Sequence, residues 1–185
     1  ERGDARIIFT QPTHGTLTAV SANTPFTSGG SSTANVVFTV VPDANYEVKA
    51  WTVNGKAVEN ETGKQFTYKP TDNVTIAVEL QGVVLIVTAE AGEGGTVSVL
   101  PEEVRYGEKV TLTATPSAGY AFEGWYLNGT RIDGVNAEYT FTAKEAASYE
   151  ARFTPTADNT VTFSVNDETM GTITATANGT PITSG

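Results

Sequence analysis

The sequence contains no cysteine and only one histidine, His14. The lack of cysteine excludes disulfides, thiolate metal sites and cysteine nucleophiles. A single histidine also argues against metal sites built from several imidazoles and against serine–histidine triads. We therefore expect no catalytic residues, no metal site and no bound cofactor, and we predict that the protein is not an enzyme.

Basic residues are scarce as well. The 185 residues include 11 Lys and Arg against 21 Asp and Glu, which gives a formal net charge of −10. Binding to nucleic acid or to an anionic membrane surface needs clustered Lys and Arg, so this balance argues against both kinds of partner. The longest aliphatic run, Val83–Val87, is far shorter than the roughly 20 residues of a transmembrane helix, so we expect no membrane insertion of this segment.

The residues that are abundant indicate a folded β protein. Apolar residues make up 39% of the chain and charged residues 17%, and 18 glycines are spread along it. Short runs of alternating apolar and polar residues are separated by turn signals, which is typical of many short strands. The predicted fold class is mainly β, as tandem small β-rich modules that are β-grasp-like or sandwich-like, with little or no helix.

One phrase organises the chain and occurs twice, at residues 42–55 and 116–129. Its proline, tyrosine, tryptophan and closing Asn-Gly pair recur at an offset of 116 − 42 = 74 residues. Self-similarity at a fixed period indicates a repeat array. Trp51 and Trp125 therefore hold the same place in two copies.

Each copy of the phrase predicts a turn, a strand and a hairpin turn. Asn128-Gly129 is the strongest short hairpin signal that a sequence offers. Phe122 and Trp125 are three residues apart, which breaks the period of two and predicts a β-bulge near Gly124.

The repeat divides the chain into three parts. Module 1 covers residues 1–81, module 2 covers residues 82–155, and residues 156–185 form a partial third repeat that is predicted to be a β-hairpin. The third part is recognised because Thr180–Gly185 repeats the pattern of Thr24–Gly29.

Several motifs in residues 94–153 follow one another in a specific order. They are Gly-Gly-Thr-Val, Tyr-Gly-Glu-Lys-Val-Thr-Leu-Thr-Ala-Thr-Pro, Ala-Gly-Tyr-Ala-Phe-Glu-Gly-Trp-Tyr and Tyr-Glu-Ala-Arg-Phe. In this order and spacing they resemble the divergent internalin-B B-repeat family. Residues 5–80 resemble it more weakly, since Ala50 replaces the glycine before the tryptophan, and residues 159–185 match only the opening hairpin.

This resemblance carries expectations about function. It implies small β-rich modules that occur in tandem in secreted and surface-anchored bacterial proteins, as stalks, spacers or adhesive segments. The family has no shared catalytic residues. The expected location is therefore extracellular or at the bacterial cell surface.

Aromatic residues of the repeated phrase could form either a sugar-stacking platform or the core of each module. Their fixed place after a turn, followed by an alternating strand, favours packing. The predicted structural core contains Trp51, Trp125, Tyr46, Tyr120 and Phe122.

Three features are weak candidates for binding. Tyr126 follows the tryptophan on the opposite face of its strand and is predicted to be exposed. Arg2, Gly3 and Asp4 form the tripeptide that integrins recognise. The Ser/Thr/Gly-rich stretch at residues 27–34 has little to bury and is predicted to be an exposed flexible loop.

Three functions remain open from the sequence. The first is a non-enzymatic spacer, stalk or adhesion segment of a secreted or surface-anchored bacterial protein. The second is a module that binds a carbohydrate or a host protein. The third is a self-assembling surface subunit, in which the hairpin at residues 159–185 adds to a sheet edge of another chain.

Overall fold

The computed structural model describes residues 5–156, 175–177 and 180–182. Every regular element in these ranges is a β-strand, and the described part contains no helix. The prediction of a mainly β protein is confirmed.

Module 1 is built from two sheets. Its strands are β1 Ala5–Phe9, β2 Gly15–Ser21, β3 Thr24–Pro25, β4 Ser31–Ser32, β5 Val36–Pro42, β6 Tyr46–Val53, β7 Lys56–Ala57, β8 Gln65–Tyr68 and β9 Val74–Gly82. One sheet has the strand order β4-β1-β9-β6-β7, and the other has the order β3-β2-β5-β8. The pairing of β1 with β9 is parallel, and every other pairing in the two sheets is antiparallel.

Module 2 repeats this plan. Its strands are β10 Val84–Leu85, β11 Val87–Ala91, β12 Gly95–Leu100, β13 Val104–Arg105, β14 Lys109–Pro116, β15 Tyr120–Leu127, β16 Thr130–Arg131, β17 Glu138–Thr142 and β18 Ala147–Pro155. Its sheets are β11-β18-β15-β16 and β12-β14-β17, with a small pair β10-β13. The first and last long strands, β11 and β18, again pair in parallel.

The described part of the third repeat is the hairpin of β19 Ala175–Ala177 and β20 Thr180–Ile182. Thr176 lies opposite Pro181, as Val20 lies opposite Pro25 in module 1. The hairpin therefore reproduces the β2–β3 register.

The two sheets of each module pack face to face around one core. In module 1 the core combines Trp51 and Ile76 from one sheet with Phe38 and Val40 from the other. The alternating strand β14 buries Val110, Leu112 and Ala114, which are the positions that a period of two predicts. Each module is thus sandwich-like, which decides between the two predicted alternatives.

The repeated phrase folds as predicted. Asn128 and Gly129 both have positive φ (51° and 78°), as the tight turn between β15 and β16 requires. The pairing of β15 with β18 shifts register between Phe122 and Gly124, so the predicted bulge is confirmed. Module 1 carries the same bulge between Val48 and Ala50.

Both tryptophans are fully buried. The indole Nε1 of Trp51 donates a hydrogen bond to the Gly63 carbonyl (2.8 Å), and that of Trp125 donates to the Ala137 carbonyl (3.2 Å). A buried indole N–H needs such a partner. The two copies therefore share their packing and their polar contact.

The stretch that was predicted to be a flexible loop is ordered in its first part. Residues 24–32, which we call the edge strap, cross one edge of the module 1 sandwich. The strap pairs with β2 through β3 and with β1 through β4. The Gly29 amide donates to the Ile7 carbonyl (2.7 Å), and the Ile7 amide donates to the Gly30 carbonyl (2.9 Å).

Most of residues 27–34 are exposed, as predicted, and two properties explain why part of this stretch is nevertheless hydrogen-bonded to the sheets. Backbone hydrogen bonds order a polar segment without any apolar period in its sequence. In addition, Gly29 adopts a φ of 89°, which lets the chain turn along β1, and Phe26 packs against the core. Low hydrophobicity in the sequence therefore does not exclude regular backbone pairing.

Beyond the strap, the side chain of Gln11 caps the free edge of β2 with two hydrogen bonds. The Gln11 amide nitrogen donates to the Leu17 carbonyl (2.7 Å), and the Leu17 amide donates to Gln11 Oε1 (2.7 Å). The side chain thus takes the place of a neighbouring strand.

Candidate functional site at the junction between the modules

The two modules are joined through a short, fully bonded linker. Strand β9 runs to Gly82, and Val83 leads directly into β10. The Val83 amide donates to the Asn45 carbonyl (2.9 Å) of module 1, and the Val83 carbonyl accepts from the Tyr106 amide (3.0 Å) of module 2. The single linking residue is therefore held from both sides.

Gly82 lets the two modules approach closely. It is buried, and a Cβ atom built at this position would lie 2.2 Å from the Tyr106 carbonyl oxygen. Because that neighbour is backbone, it cannot move aside without a change in the path of the chain. Any side chain at Gly82 would push the modules apart.

Arg105 connects three segments at the junction. Its Nη1 donates to Glu47 Oε1 of module 1 and to the Gly82 carbonyl, both at 3.0 Å. Its Nη2 donates to Glu103 Oε1 at 2.7 Å. Gln81 Nε2 adds a second hydrogen bond to Glu47 Oε1 (3.1 Å). A planar guanidinium suits such a contact, since it presents several donors in a fixed geometry.

The electrostatics of Arg105 favour its charged form. Partial desolvation lowers its pKa, but the hydrogen bonds to Glu103 and Glu47 outweigh that effect and leave the pKa raised. The guanidinium is therefore charged in this contact and can act as a permanent ion-pair partner.

Aromatic rings cover the other side of the junction. Tyr46 contacts Tyr106 edge to face, with ring centroids 5.7 Å apart, and His14 stacks on Tyr46 at 4.0 Å. Tyr46 is only half-buried. It belongs to the predicted core set, but it lies at the end of module 1, where it contacts module 2.

Several independent contacts therefore act at one junction: two backbone hydrogen bonds, a branched ion pair and an aromatic pair. Together they can fix the angle between the modules. Sequence reasoning missed Arg105, Glu47 and Gly82. One signal was present, because Arg105 is the only basic residue between Lys69 and Lys109.

Tyr126 is not exposed, and the prediction that placed it on an open surface was wrong. Its relative exposure is 9%, because the Arg152 guanidinium carbon lies 4.0 Å from its ring centroid. Its hydroxyl donates to Glu123 Oε1 (2.8 Å). This hydrogen bond, together with burial, raises the pKa of Tyr126. Sequence alternation gave the correct face but could not show that an arginine covers it.

The other predicted site residues are dispersed. Phe122 and Tyr120 are half-buried at the margin of the module 2 core. The ring centroids of Phe122 and Trp125 are 6.0 Å apart. Arg2, Gly3 and Asp4 lie outside the described residues, as does most of the hairpin at residues 159–185.

A groove of about 460 Å³ lies beside the edge strap. Its apolar lining comes mainly from Phe9, Leu17, Ala19 and Phe26, and Gln11 stands at its side. Module 2 has no strap and so lacks the wall that Phe26 provides here.

The described residues contain no cluster of three or more His, Cys, Asp or Glu side chains placed to hold a metal ion. Within the same ranges, no helix has the length and apolar character needed to cross a bilayer.

The fold and the junction define a tandem array of two-sheet β modules that contact each other directly. The sequence profile of the divergent InlB B-repeat domain matches residues 6–80 and 85–157. The chain therefore belongs to the divergent InlB B-repeat family, and the predicted resemblance, with two full copies, is confirmed. The family indicates a repeat module of bacterial surface proteins. A comparison with curated proteins and with solved structures finds no match.

Proposed function

We propose that this chain is a non-enzymatic spacer in a secreted or surface-anchored bacterial protein, and that it sets the distance and orientation of whatever lies beyond it. The observation that carries this proposal is the junction around Gly82 and Arg105. A spacer that transmits orientation needs modules that do not swivel, and the default for loosely joined domains is relative motion.

The far end of module 2 supports the same reading. The Thr156 amide donates to the Gly119 carbonyl (2.8 Å), as the Val83 amide donates to the Asn45 carbonyl. The hydrogen bond that the linking residue makes to module 1 is thus repeated at the end of module 2, where the third repeat begins. Glu47 corresponds to Ala121 by the repeat offset, so the acidic partner of the arginine is not repeated.

The spacer proposal is tested by measuring the distance between the modules. The chain has no cysteine, so Lys56→Cys and Thr130→Cys give two exposed labelling sites at equivalent turns. Double electron–electron resonance between two spin labels should give one narrow distance distribution. A broad distribution, as wide as that of a flexible linker, would contradict the proposal.

A matched pair of variants shows which contacts fix the angle. Gly82→Ala should shift or broaden the distance distribution, because its methyl group would meet the Tyr106 carbonyl. Val20→Ala is the control, since the Val20 side chain is 39% exposed and takes no part in the junction contacts or in the labelled turns.

Ligand binding is the second candidate, and the groove beside the edge strap favours it. Apolar clefts with a few polar groups are the usual form of small-ligand sites. A glycan array is the direct test, with Phe26→Ala as the variant that removes one wall. Binding that is lost in this variant would support a carbohydrate-binding module, whereas a pure spacer binds no glycan.

A further inference from the structure

Within residues 5–156, module 2 leaves unpaired the sheet edge that module 1 covers. At the module 1 edge the strap and Gln11 supply partners for Leu17, Ala19 and Ile7. The residues that replace the strap in module 2 form a strand pair at β13, with β10, and bond further to Val83 and Ala143. In residues 5–156, β12 pairs with β14 on one side, and no backbone or side-chain group bonds to its other side.

The repeat identifies which groups point outward from β12. Leu17 and Ala19 face the strap side of β2, and their counterparts in β12 are Val97 and Val99, because Gly15 lies opposite Pro42 as Gly95 lies opposite Pro116. Gln11 corresponds to Ala91, whose methyl group cannot cap a strand. The amide and carbonyl groups of Val97 and Val99 thus have no hydrogen-bond partner on this side among the described residues.

Strand β12 lacks the residues that usually prevent an edge strand from pairing with another chain. Natural edge strands carry charges, prolines or bulges that discourage pairing. Strand β12, Gly95–Leu100, contains no charge and no proline, and its pairing with β14 is regular throughout. Its exposed side chains are Thr96, Ser98 and Leu100, and Leu100 is 60% exposed.

We propose that β12 is a self-association site, at which a second copy of this chain adds its own β12 in antiparallel orientation. A pair centred on Ser98 places Val97 of one copy opposite Val99 of the other and Thr96 opposite Leu100. Such pairing is self-complementary, as a twofold interface requires, and it joins two three-stranded sheets into one of six strands. Uncharged Thr, Val and Leu are also favourable residues for strand pairing.

The test is sedimentation velocity of the full chain over a concentration series, at one moderate ionic strength that is the same for every variant. Ser98→Lys places two like charges at the twofold axis and should weaken dimerisation by about tenfold or more. Ala91→Gln should weaken it as well, because the introduced amide can cap Val97 as Gln11 caps Leu17 in module 1.

Thr18→Lys is the matched control, since it is the same position on the sealed edge of module 1, and it should leave the dimer intact. Circular dichroism melts verify that all three variants fold. Loss of the dimer in both module 2 variants supports the proposal. A wild-type chain that stays monomeric, or a dimer that survives either module 2 variant, overturns it.

Discussion

Modules 1 and 2 share a core and differ at one edge. Both bury a tryptophan behind the same bulge and bond its indole to a carbonyl. In module 1 the strap, residues 24–32, closes the edge between β1 and β2. In module 2 the corresponding segment forms a strand pair with β10, and none with β12, among the described residues.

The comparison separates what makes the fold from what distinguishes the copies. The core phrase is retained because a module of this size depends on a few large buried side chains. The edge is free to vary, because a sandwich stays folded whether its edge strand meets a strap or solvent. Differences in partners between copies should therefore arise at the edges and not at the repeated phrase.

The largest expected effect concerns the shared core. Trp51→Ala and Trp125→Ala should each lower the free energy of unfolding of their module by about 3–5 kcal/mol. This approaches the whole stability of a small domain, so the affected module should unfold. Calorimetric melting measures the loss, with Val41→Ala at a 61% exposed site as a control that should change little. A tryptophan variant that keeps its melting transition would show that the shared core is not essential.

The next effect is confined to module 1. Phe26→Ala removes the apolar anchor of the edge strap and should cost about 1–3 kcal/mol, less than a fully buried phenylalanine. The transition of module 2 should not move. Equal losses in both modules would mean that the strap does not stabilise module 1 locally. Denaturant unfolding followed by module-specific NMR signals measures the transitions of module 1 and module 2 separately.

These expectations also show how far the sequence alone could lead. The repeat offset, the bulge at Gly124 and the turn at Asn128-Gly129 could be predicted because each depends on local residue chemistry. The pairing of the strap with β1 and β2, and the burial of Tyr126 by Arg152, could not be predicted, since both depend on partners distant in sequence. Arg152, for example, lies 26 residues beyond the tyrosine that it covers (152 − 126).

The junction escaped prediction for the same reason. Arg105 meets Glu47 across 58 residues of sequence. Neither residue differs from an ordinary surface charge until the two modules are placed side by side. Periodicity identifies a module, but it contains no information about the angle between two modules.

A smaller effect is expected at Gln11. Gln11→Ala removes both hydrogen bonds to Leu17 and should cost about 1–2 kcal/mol. Gln11→Glu keeps an acceptor for the Leu17 amide but places a carboxylate oxygen against the Leu17 carbonyl, so this variant should also be less stable than the wild-type chain. Chemical denaturation of the three proteins measures both losses. An alanine variant as stable as the wild-type chain would contradict the capping role.

The smallest effect is a dependence on alkaline pH in module 2. Burial raises the pKa of Tyr149, and the hydrogen bond to Glu123 together with burial raises that of Tyr126. A raised pKa favours the neutral phenol in the folded state. The resulting stability is present below the unfolded pKa of about 10 and is lost as pH rises through the folded pKa. Melting across this range should show a decline that Tyr126→Phe and Tyr149→Phe together reduce, and an unchanged decline would contradict the assignment.

Native-state amide hydrogen exchange tests the central difference between the modules most directly. At a concentration low enough to keep the chain monomeric, the Leu17 and Ile7 amides should be protected, since Gln11 and the strap accept their hydrogen bonds. The equivalent amides of Val97 and Val87 should exchange much faster. Equal protection at the two edges would contradict the account, because it would mean that module 2 seals its edge as module 1 does.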